Sequence, residues 1–512
     1  MAIKILLLAV FFAVMLFIGF YTHKHTNSVD GFVLGGRNVG PWLSAFAYGT
    51  SYFSAVVFVG YAGQFGWKYG IASTWIGIGN ALIGSLLAWV ILGRRTRVMT
   101  QHLQSRTMPD FFGSRYDSKA LKITASVIVF VFLIPYTASV YNGLSRLFEM
   151  AFDIPYQICV IVMAGLTAVY VIVGGYMATA LNDFVQGIIM LFGIAAVVIA
   201  VLNGQGGFMN AIRTMSAIPS DVAATQGQAG AFISFFGTDP LNLFGVIVLT
   251  SLGTWGLPQM IGKFYAIRDE KSVSAGTIIS TLFAIVVAGG CYFLGGFGRL
   301  FDDASIYDAS GKIIYDAIIP HMLSTLPDAL IGIVIVLVLS ASMSTLSSLV
   351  LTSSSTLTLD LLKDNVIKGM SEKKQVSCMR ILIVFFIAIS VILALNPPAF
   401  IAQLMGISWG ALAGAFLAPF LYGLYWKGVT KAAVWASFIA GVGITVSNMF
   451  IGYIASPINA GAIAMAAGLV IVPVVSLITP KPDREKVDRI FTCYEETVTV
   501  TRKYALEEDE EA

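Results

Sequence analysis

Residues 42–63 read WLSAFAYGTSYFSAVVFVGYAG, an apolar stretch of membrane-spanning length that contains Gly49 among hydroxyl-bearing residues. A second stretch, VIVLTSLGTWGLPQM at 246–260, contains two glycines and a proline in close succession. Glycine and proline interrupt helical hydrogen bonding, and the freed backbone groups are tolerated at membrane depth only where they line a cavity or bind a ligand. We therefore predict two broken membrane helices, each with a cavity or a ligand beside its break.

The chain around these stretches has the composition of a protein that crosses a membrane many times. Of its 512 residues, 57% are hydrophobic and 12% are charged, and the mean hydropathy is +0.82. Soluble domains are about 45–50% apolar and about 25% charged. We predict an all-α membrane protein with about thirteen transmembrane helices of about 20 residues each. They lie near residues 5–21, 42–63, 74–93, 123–145, 155–174, 180–202, 241–262, 274–297, 329–357, 381–396, 399–425, 431–451 and 459–479.

The two interrupted spans are the second and the seventh of this series. Spans 2–6 and 7–11 then form two five-helix repeats of inverted orientation, each of which opens with a broken helix, an arrangement known in secondary transporters. The other reading is that glycine and proline are simply common in membrane helices.

The distribution of lysine and arginine predicts the orientation. An N-terminus outside the cell places most of the 31 Lys and Arg residues in cytoplasmic loops and in the C-terminal tail, as the positive-inside rule requires. We predict a transmembrane domain over residues 1–480 and a cytoplasmic tail over residues 481–512, in the inner or plasma membrane. The net charge of +3 reflects these loops and does not indicate a nucleic-acid partner.

Motifs of soluble enzymes are absent from the sequence. There is no GxxxxGK[ST] phosphate loop and no HExxH zinc motif, and the chain has only four histidines. A tail of about 30 residues is too short for a catalytic domain. We therefore predict that the protein is neither an enzyme nor an ATP-driven pump.

The ninth span contains SASMSTLSS at residues 340–348, which is rich in hydroxyl groups. On a helix, Ala341, Ser344, Thr345 and Ser348 share one face, and Ser347 lies beside it. Small residues of this kind also serve close helix packing. The density of oxygen atoms nevertheless favours a hard monovalent cation such as Na⁺, whose shell the carbonyl groups of a broken helix could complete.

Asp183 is the one charged residue between Pro155 and Ile212. It could lie at the end of span 6 and extend to the membrane surface. An acid at membrane depth is costly, however, and usually has a functional partner, so it could support a second ion. Proton coupling through Asp183 is a further reading, although neighbouring serines are better ion ligands than proton relays.

Three stretches resemble the sodium:solute symporter family. They are GFVLGGRNVGPWLSAFAYGTSYFSA at 31–55, GGYMATALNDFVQG at 174–187 and SASMSTLSSLVLTSSSTLTLDLL at 340–362. The resemblance extends over about residues 31–450. It implies an amino acid/sodium symporter-type fold with thirteen helices and an inverted repeat, in which Na⁺ and the substrate bind near mid-membrane.

The same resemblance implies ion sites. The main sodium site would use the carbonyl groups of Thr50, Phe53 and Ala341 and the hydroxyl groups of Ser344 and Thr345. Some family members have a second sodium site, which would correspond here to Asp183, Ser344, Ser347 and Ser348. Arg37 falls on a family arginine before the first broken helix, which implies a role in the cytoplasmic gate.

We expect the substrate pocket to surround the two breaks and span 4. Its predicted lining is Tyr52, Ser54, Tyr136, Thr254, Trp255 and Gln259. Positive ends of half-helices suit a carboxylate there, and the core spans are expected to contain no Lys or Arg that could pair with it. Proline-transporting members have other residues at the positions of Tyr52, Phe53 and Thr250, which argues against proline as the substrate.

Together these features predict a Na⁺-coupled symporter that imports a small carboxylate or amino-acid-like solute by alternating access. Two alternatives remain open at this stage: a membrane sensor that signals through a partner protein, and a sodium-independent uniporter. The expected partners are membrane lipid and the solute, and the oligomeric state is left open.

Overall fold

The computed structural model of the chain describes residues 2–22, 28–397 and 400–495. Over these residues the secondary structure is helical apart from two isolated β-bridges. The predicted tail is described only up to residue 495, and residues 496–512 lie outside the described part. The α-helices are α1 (Ala2–Thr22), α2 (Val29–Leu34), α3 (Pro41–Tyr52), α4 (Ala62–Tyr69), α5 (Thr74–Gly79), α6 (Arg94–His102), α7 (Met108–Arg115), α8 (Lys119–Phe152), α9 (Tyr156–Gly204), α10 (Phe208–Ala217), α11 (Pro240–Leu252), α12 (Pro258–Tyr265), α13 (Glu270–Gly295), α14 (Tyr315–Ser324), α15 (Asp328–Thr356), α16 (Glu372–Leu395), α17 (Ile401–Tyr425), α18 (Lys431–Ile451), α19 (Pro457–Ile478) and α20 (Arg484–Phe491).

Ten helices in the described residues are long and apolar enough to cross a membrane, or eleven if the bent pair of α11 and α12 forms one span. The predicted number of thirteen is therefore not confirmed. One reason is that π-helical turns join the segment after the first break to the next predicted span. The two together count as one helix, Val56–His102. Another is that predicted spans 5 and 6 lie on the single helix α9, which is interrupted at Gly175 (φ 56°, ψ −159°).

The first predicted break is present after α3. Phe53 has extended backbone angles (φ −109°, ψ 106°), and the chain resumes a helical course with Val57 and Phe58, whose amides donate to the Ser54 carbonyl. Because α3 ends at Tyr52, its last carbonyl groups have no partner within the helix. They are available to groups on neighbouring helices.

The second break separates α11 from α12. A short 3₁₀ turn over Gly253–Gly256 is followed by Leu257 in an extended conformation and by Pro258 at the first position of α12. Proline suits this position because it has no amide hydrogen to be left unsatisfied there. The axes of the two half-helices differ by 46°.

A pair of backbone hydrogen bonds joins the two broken spans at one end. The Val39 amide donates to the Ala266 carbonyl (3.1 Å), and the Arg268 amide donates to the Val39 carbonyl (3.0 Å). The first broken span begins just after this point, and the second broken span ends just before it. The two broken spans therefore run in opposite directions from a shared end.

Helix α15 lies at the centre of the bundle, where it packs against α9, α8, α1, α16 and α3. All nine residues of SASMSTLSS are buried. Burial of a hydroxyl group costs free energy unless it is hydrogen-bonded. The partners of these hydroxyl groups therefore indicate what the central helix holds.

Candidate functional site

The hydroxyl stripe of α15 faces the broken end of α3. The Ser344 hydroxyl donates to Thr50 Oγ1 (2.7 Å), and Thr345 Oγ1 lies 3.3 Å from the Ser51 carbonyl and 3.1 Å from the Ala341 carbonyl. The structure thus brings Thr50, Ala341, Ser344 and Thr345 together. Phe53 lies three residues beyond Thr50, at the break itself.

The chemistry of this cluster suits a sodium ion. Its donors are neutral hydroxyl and carbonyl oxygens, which are hard ligands. The side chains of Thr50, Ser344 and Thr345 are fully buried, so water does not compete with them. Thr345 Oγ1 lies 3.5 Å from the Thr50 carbonyl and 3.1 Å from the Ala341 carbonyl, so these two carbonyl groups face each other across the contact between α3 and α15.

The structure brings together most of the residues expected at a second sodium site, but a lysine lies among them. Asp183 on α9 is fully buried, and Lys263 Nζ is 3.6 Å from its Oδ2 atom. The same ammonium group donates to the Ser348 hydroxyl (2.9 Å), which also lies 2.9 Å from Ser51 Oγ. The Ser347 hydroxyl donates to the backbone of its own helix, at the Ser344 carbonyl.

The burial of Lys263 corrects the expectation that the core spans contain no cation. The sequence reading ended the seventh span just before this residue and assigned it to a cytoplasmic loop. In the structure α12 continues to Tyr265, and only 3% of Lys263 is exposed. The available signal was its spacing: it follows Gln259 by four positions, which places both residues on one helical face.

Gln259 and Lys263 line a narrow cleft, which we call the Lys263 cleft. Its other polar lining includes Arg106, Thr107, Tyr176 and Ser348. The free volume is about 40 Å³, enough for water or an ion but not for an organic solute. Gln259 therefore lies beside the Asp183 and Lys263 pair.

Two of the predicted pocket residues lie in an aromatic cluster. The Tyr52 ring stacks on Phe53 with 4.3 Å between centroids, and its hydroxyl donates to the Thr250 carbonyl. Trp409 on α17 lies 6.1 Å from the Tyr52 ring and 5.9 Å from the Tyr136 ring. Sequence reasoning missed Trp409, although a tryptophan in the middle of an apolar helix is a recognisable signal.

The remaining predicted pocket residues point elsewhere. The Trp255 indole donates to the Ile83 carbonyl (3.0 Å), and the Thr254 hydroxyl donates to the carbonyls of Ser251 (2.9 Å) and Gly84 (3.2 Å). Ser54 Oγ accepts from the Val56 amide in the turn at the first break. The six predicted residues thus lie in distinct environments around the breaks.

Two buried nitrogen donors near the second break have no hydrogen-bond partner among the described residues. They are Trp409 Nε1 and Asn80 Nδ2. Asn80 accepts a bond from the Ser251 hydroxyl through its other side-chain atom (3.2 Å), and the Trp409 ring lies against Gly253. Buried donors are rarely left unpaired, so each of these two nitrogens is available to an acceptor.

Arg37 joins three segments near the shared end of the broken spans. Its guanidinium donates to the Ser105 carbonyl (2.5 Å) and to the Tyr265 carbonyl at the end of α12 (3.4 Å). Arg106, next to Ser105, pairs with Asp30 (2.6 Å). These contacts lie at the end of the protein at which the Lys263 cleft is found.

A model of the sodium:solute symporter family matches residues 32–441, which is most of the chain. The chain belongs to the sodium:solute symporter family. The family, the transport function and sodium as the coupling ion were all predicted from the sequence and are confirmed. This symporter is accordingly not an enzyme; it is a multi-pass membrane protein that takes a small-molecule substrate.

Relatives of this symporter include transporters of known substrate. The osmoregulated proline transporter of Bacillus subtilis is 29% identical over 497 residues, which cover 94% of this chain and 96% of the relative. The sodium/proline symporter of Staphylococcus aureus is 30% identical over 459 residues, with coverage of 85% and 84%.

Solved structures show that the fold is shared with other cation-coupled symporters. A Na⁺-coupled sialic acid symporter in a substrate-bound outward-open state has a TM-score of 0.74 at 16% identity, over 94% of this chain and 99% of that one. A nucleobase-cation-symport-1 family transporter has a TM-score of 0.55 at 12% identity, over 91% and 98%.

Proposed function

We propose that this symporter imports a small carboxylate-bearing or amino-acid-like solute by alternating access of the cavity between its two broken spans. The observation that carries the proposal is the Ser344–Thr50 contact, which joins the central helix to the broken end of α3 at a cluster of neutral oxygens. Sodium bound at this junction ties the two helices together. Its proposed ligands are the carbonyl groups of Thr50, Phe53 and Ala341 and the hydroxyl groups of Ser344 and Thr345.

Each step of the transport cycle follows from this junction. The ion holds α3 against α15, which keeps the first broken span in the position that completes the solute pocket. When the two helices separate, the coordination of the ion weakens and both solutes are released. Inward movement of one positive charge contributes about 2.3 kcal/mol per 100 mV of membrane potential, so the gradient drives the cycle.

The unpaired donors near the second break support a solute with an acceptor group. Trp409 Nε1 and Asn80 Nδ2 are both buried nitrogens that lack an acceptor in the described structure, and a carboxylate is an acceptor that a buried donor of this kind would bind. Tyr52 and Tyr136 would then pack against the apolar part of the solute. Ser54, Thr254, Trp255 and Gln259 would line the path that the solute takes past the breaks.

The relatives that transport proline support a solute of the same chemical class as proline. They do not imply that the solute is proline itself. Tyr52 fills the space beside Phe53, and its hydroxyl is committed to the Thr250 carbonyl. Proline-transporting members differ at these three positions. We therefore propose a solute other than proline within the same chemical class.

The finer architecture is proposed on the same basis. Thirteen spans with an inverted five-helix repeat are supported by the Val39–Ala266 pairing, since two spans that start and end at a shared point run oppositely. The distribution of lysine and arginine supports an outside N-terminus and a cytoplasmic C-terminus. Arg37 then acts in the cytoplasmic gate through its bonds to Ser105 and Tyr265.

The test is thermal stabilisation of the purified protein by amino acids, monocarboxylates, pantothenate and sugars, each in NaCl and in choline chloride. A ligand that binds the native state raises its stability by mass action. We expect stabilisation by a carboxylate-bearing solute in NaCl that is lost in choline chloride. Stabilisation that is equal in both salts, or that is produced by sugars alone, would contradict the proposal.

A further inference from the structure

We propose that the Lys263 ammonium takes the place of a second sodium ion at Asp183, so that this symporter binds one Na⁺ and carries a tethered cation where some relatives carry a second. The inference rests on the proposed function, because it takes the Thr50 and Ser344 cluster as the sodium site that remains. It concerns a different pair of residues, however, and is tested separately.

Charge balance at Asp183 is the first argument. The helices on which Asp183 and its neighbours lie contain few other charges: α9 has no other charged residue, α3 has none, and α15 has none after Asp328 at its first position. Arg106, which also lines the Lys263 cleft, is paired with Asp30 (2.6 Å). Lys263 therefore neutralises Asp183 one to one in a buried environment. A sodium ion added beside them would leave a net positive charge in a region of low dielectric constant, which is strongly unfavourable.

Ligand availability is the second argument. A sodium ion at Asp183 would need the hydroxyl groups of Ser347 and Ser348. The Ser348 hydroxyl already contacts Lys263 and Ser51, and the Ser347 hydroxyl donates to the Ser344 carbonyl. The two serine hydroxyl groups that a second ion would need are thus already engaged by groups of the chain itself.

Because Lys263 lies on α12, the replacement of a sodium ion by its ammonium group also affects how the helices are linked. Lys263 lies beyond the second break, whereas Asp183 and Ser348 lie on α9 and α15. The ammonium therefore links the second broken span to the same central helix that the main sodium site links to the first. Removal of the link requires movement of α12 and not the dissociation of an ion.

The experiment measures sodium binding and not transport. Wild-type protein is titrated with NaCl at a constant total concentration of NaCl and choline chloride, and stoichiometry is obtained from radiolabelled Na⁺ and from the slope of the thermal stabilisation. We expect one Na⁺ per protein and a slope near one. A stoichiometry of two in the wild type would overturn the proposal directly, without any variant.

Lys263→Met is the informative variant, because methionine has a similar length and no charge. It exposes the Asp183 carboxylate to an external cation, so we expect a second Na⁺ to bind and the slope to approach two. Lys263→Arg retains the positive charge of the side chain and is expected to bind one Na⁺. Retention of a single Na⁺ by folded Lys263→Met would overturn the proposal.

Two controls separate this inference from the proposed function. The double variant Lys263→Met/Asp183→Asn removes both charges and is expected to return to one Na⁺, and two bound Na⁺ in that variant would contradict a site at Asp183. Lys68→Met, which removes a partly buried lysine on α4 that lies 5.2 Å from the Tyr315 ring, should bind Na⁺ as the wild type does. The absence of any Na⁺ binding in the wild type would refute the proposed function itself.

Discussion

The Ser344 hydroxyl lies 2.7 Å from the Thr50 hydroxyl, and these two residues are 294 positions apart in the chain. Thr50 in turn donates to the Phe46 carbonyl within α3 (2.7 Å). Two successive hydrogen bonds from hydroxyl groups therefore connect the central helix to the end of the first half-helix. Any ligand that binds at this contact bridges the two parts.

Ser344→Ala should weaken sodium binding while the fold is retained. Loss of one oxygen ligand is expected to raise the apparent Kd for Na⁺ about tenfold, equivalent to about 1.4 kcal/mol. The measurement is the NaCl concentration at half-maximal thermal stabilisation. Ser354→Ala is the matched control, because its hydroxyl is buried on the same helix and bonds only to the Leu351 carbonyl. Equal sodium affinity in the two variants would remove Ser344 from the site.

Gly66→Ala should destabilise the protein strongly. A Cβ atom at Gly66 would overlap the carbonyl group of Gly295 on α13, where backbone meets backbone and no side chain can move away. Overpacking of this kind costs about 1–3 kcal/mol or more. The measurement is the midpoint of thermal unfolding.

Gly289→Ala provides the comparison for that substitution. It lies on α13 as well, and a Cβ atom there meets no atom within 4 Å. Its effect should remain within about 0.5 kcal/mol. If the two alanine variants unfold at the same temperature, the close packing of α4 on α13 is not what stabilises this face.

Asp316 should make stability depend on pH near the start of α17. Its carboxylate accepts a bond from the Ile401 amide (3.2 Å), and burial raises the pKa of Asp316 from 3.8 to about 6, with partial compensation from this bond and from Arg146. Between these two values the folded state binds the proton more tightly than the unfolded state. Stability is therefore expected to fall as pH rises from 4 to 6, by about 2–3 kcal/mol in total.

Comparison with Asp316→Asn isolates this contribution from other carboxylates. Asparagine can accept the same amide bond but does not titrate in this range. Thermal unfolding of both proteins is measured between pH 4.5 and 7.5. The wild type should lose stability relative to Asp316→Asn as pH rises, so the difference is smallest at pH 4.5 and largest at pH 7.5. Parallel profiles for the two proteins would mean that Asp316 does not titrate in this window.

Arg37→Gln should open the end of the protein that contains the Lys263 cleft. The substitution removes two bonds from the guanidinium to backbone carbonyls, each worth about 1.5–3 kcal/mol for a charged donor. We expect faster thiol labelling of a cysteine placed at Thr352, which lines the cleft. Arg94→Gln is the control, because its side chain is largely exposed and pairs with Glu270. Unchanged labelling in Arg37→Gln would exclude a gating role.

Regular periodicity explains what the sequence could predict. The face formed by Ala341, Ser344, Thr345 and Ser348 follows from helical geometry, and α15 is a continuous helix. The two breaks were also predictable, since glycine and proline act on the backbone through their own chemistry. These features are local, and local features can be read from one sequence.

The features that sequence reading missed depend on contacts between distant segments. Lys263 was assigned to a loop because charge marks the ends of spans on average, and only the course of α12 after its break shows that this lysine turns inward. Trp409 lies beside the second break because α17 packs against the 3₁₀ turn there. Each residue had a local signal, its spacing or its residue type, but that signal does not identify the distant segment that the residue contacts.

The hydrogen bonds between Val39 and the Ala266–Arg268 segment involve main-chain atoms alone. Their strength consequently does not vary with pH over the range in which side chains titrate, and nearly every substitution at these positions preserves them. Homologous chains could differ in sequence at all of these positions and still form the same hydrogen bonds between the two broken spans. These bonds therefore tie the ends of the two broken spans together, whichever solute the pocket recognises.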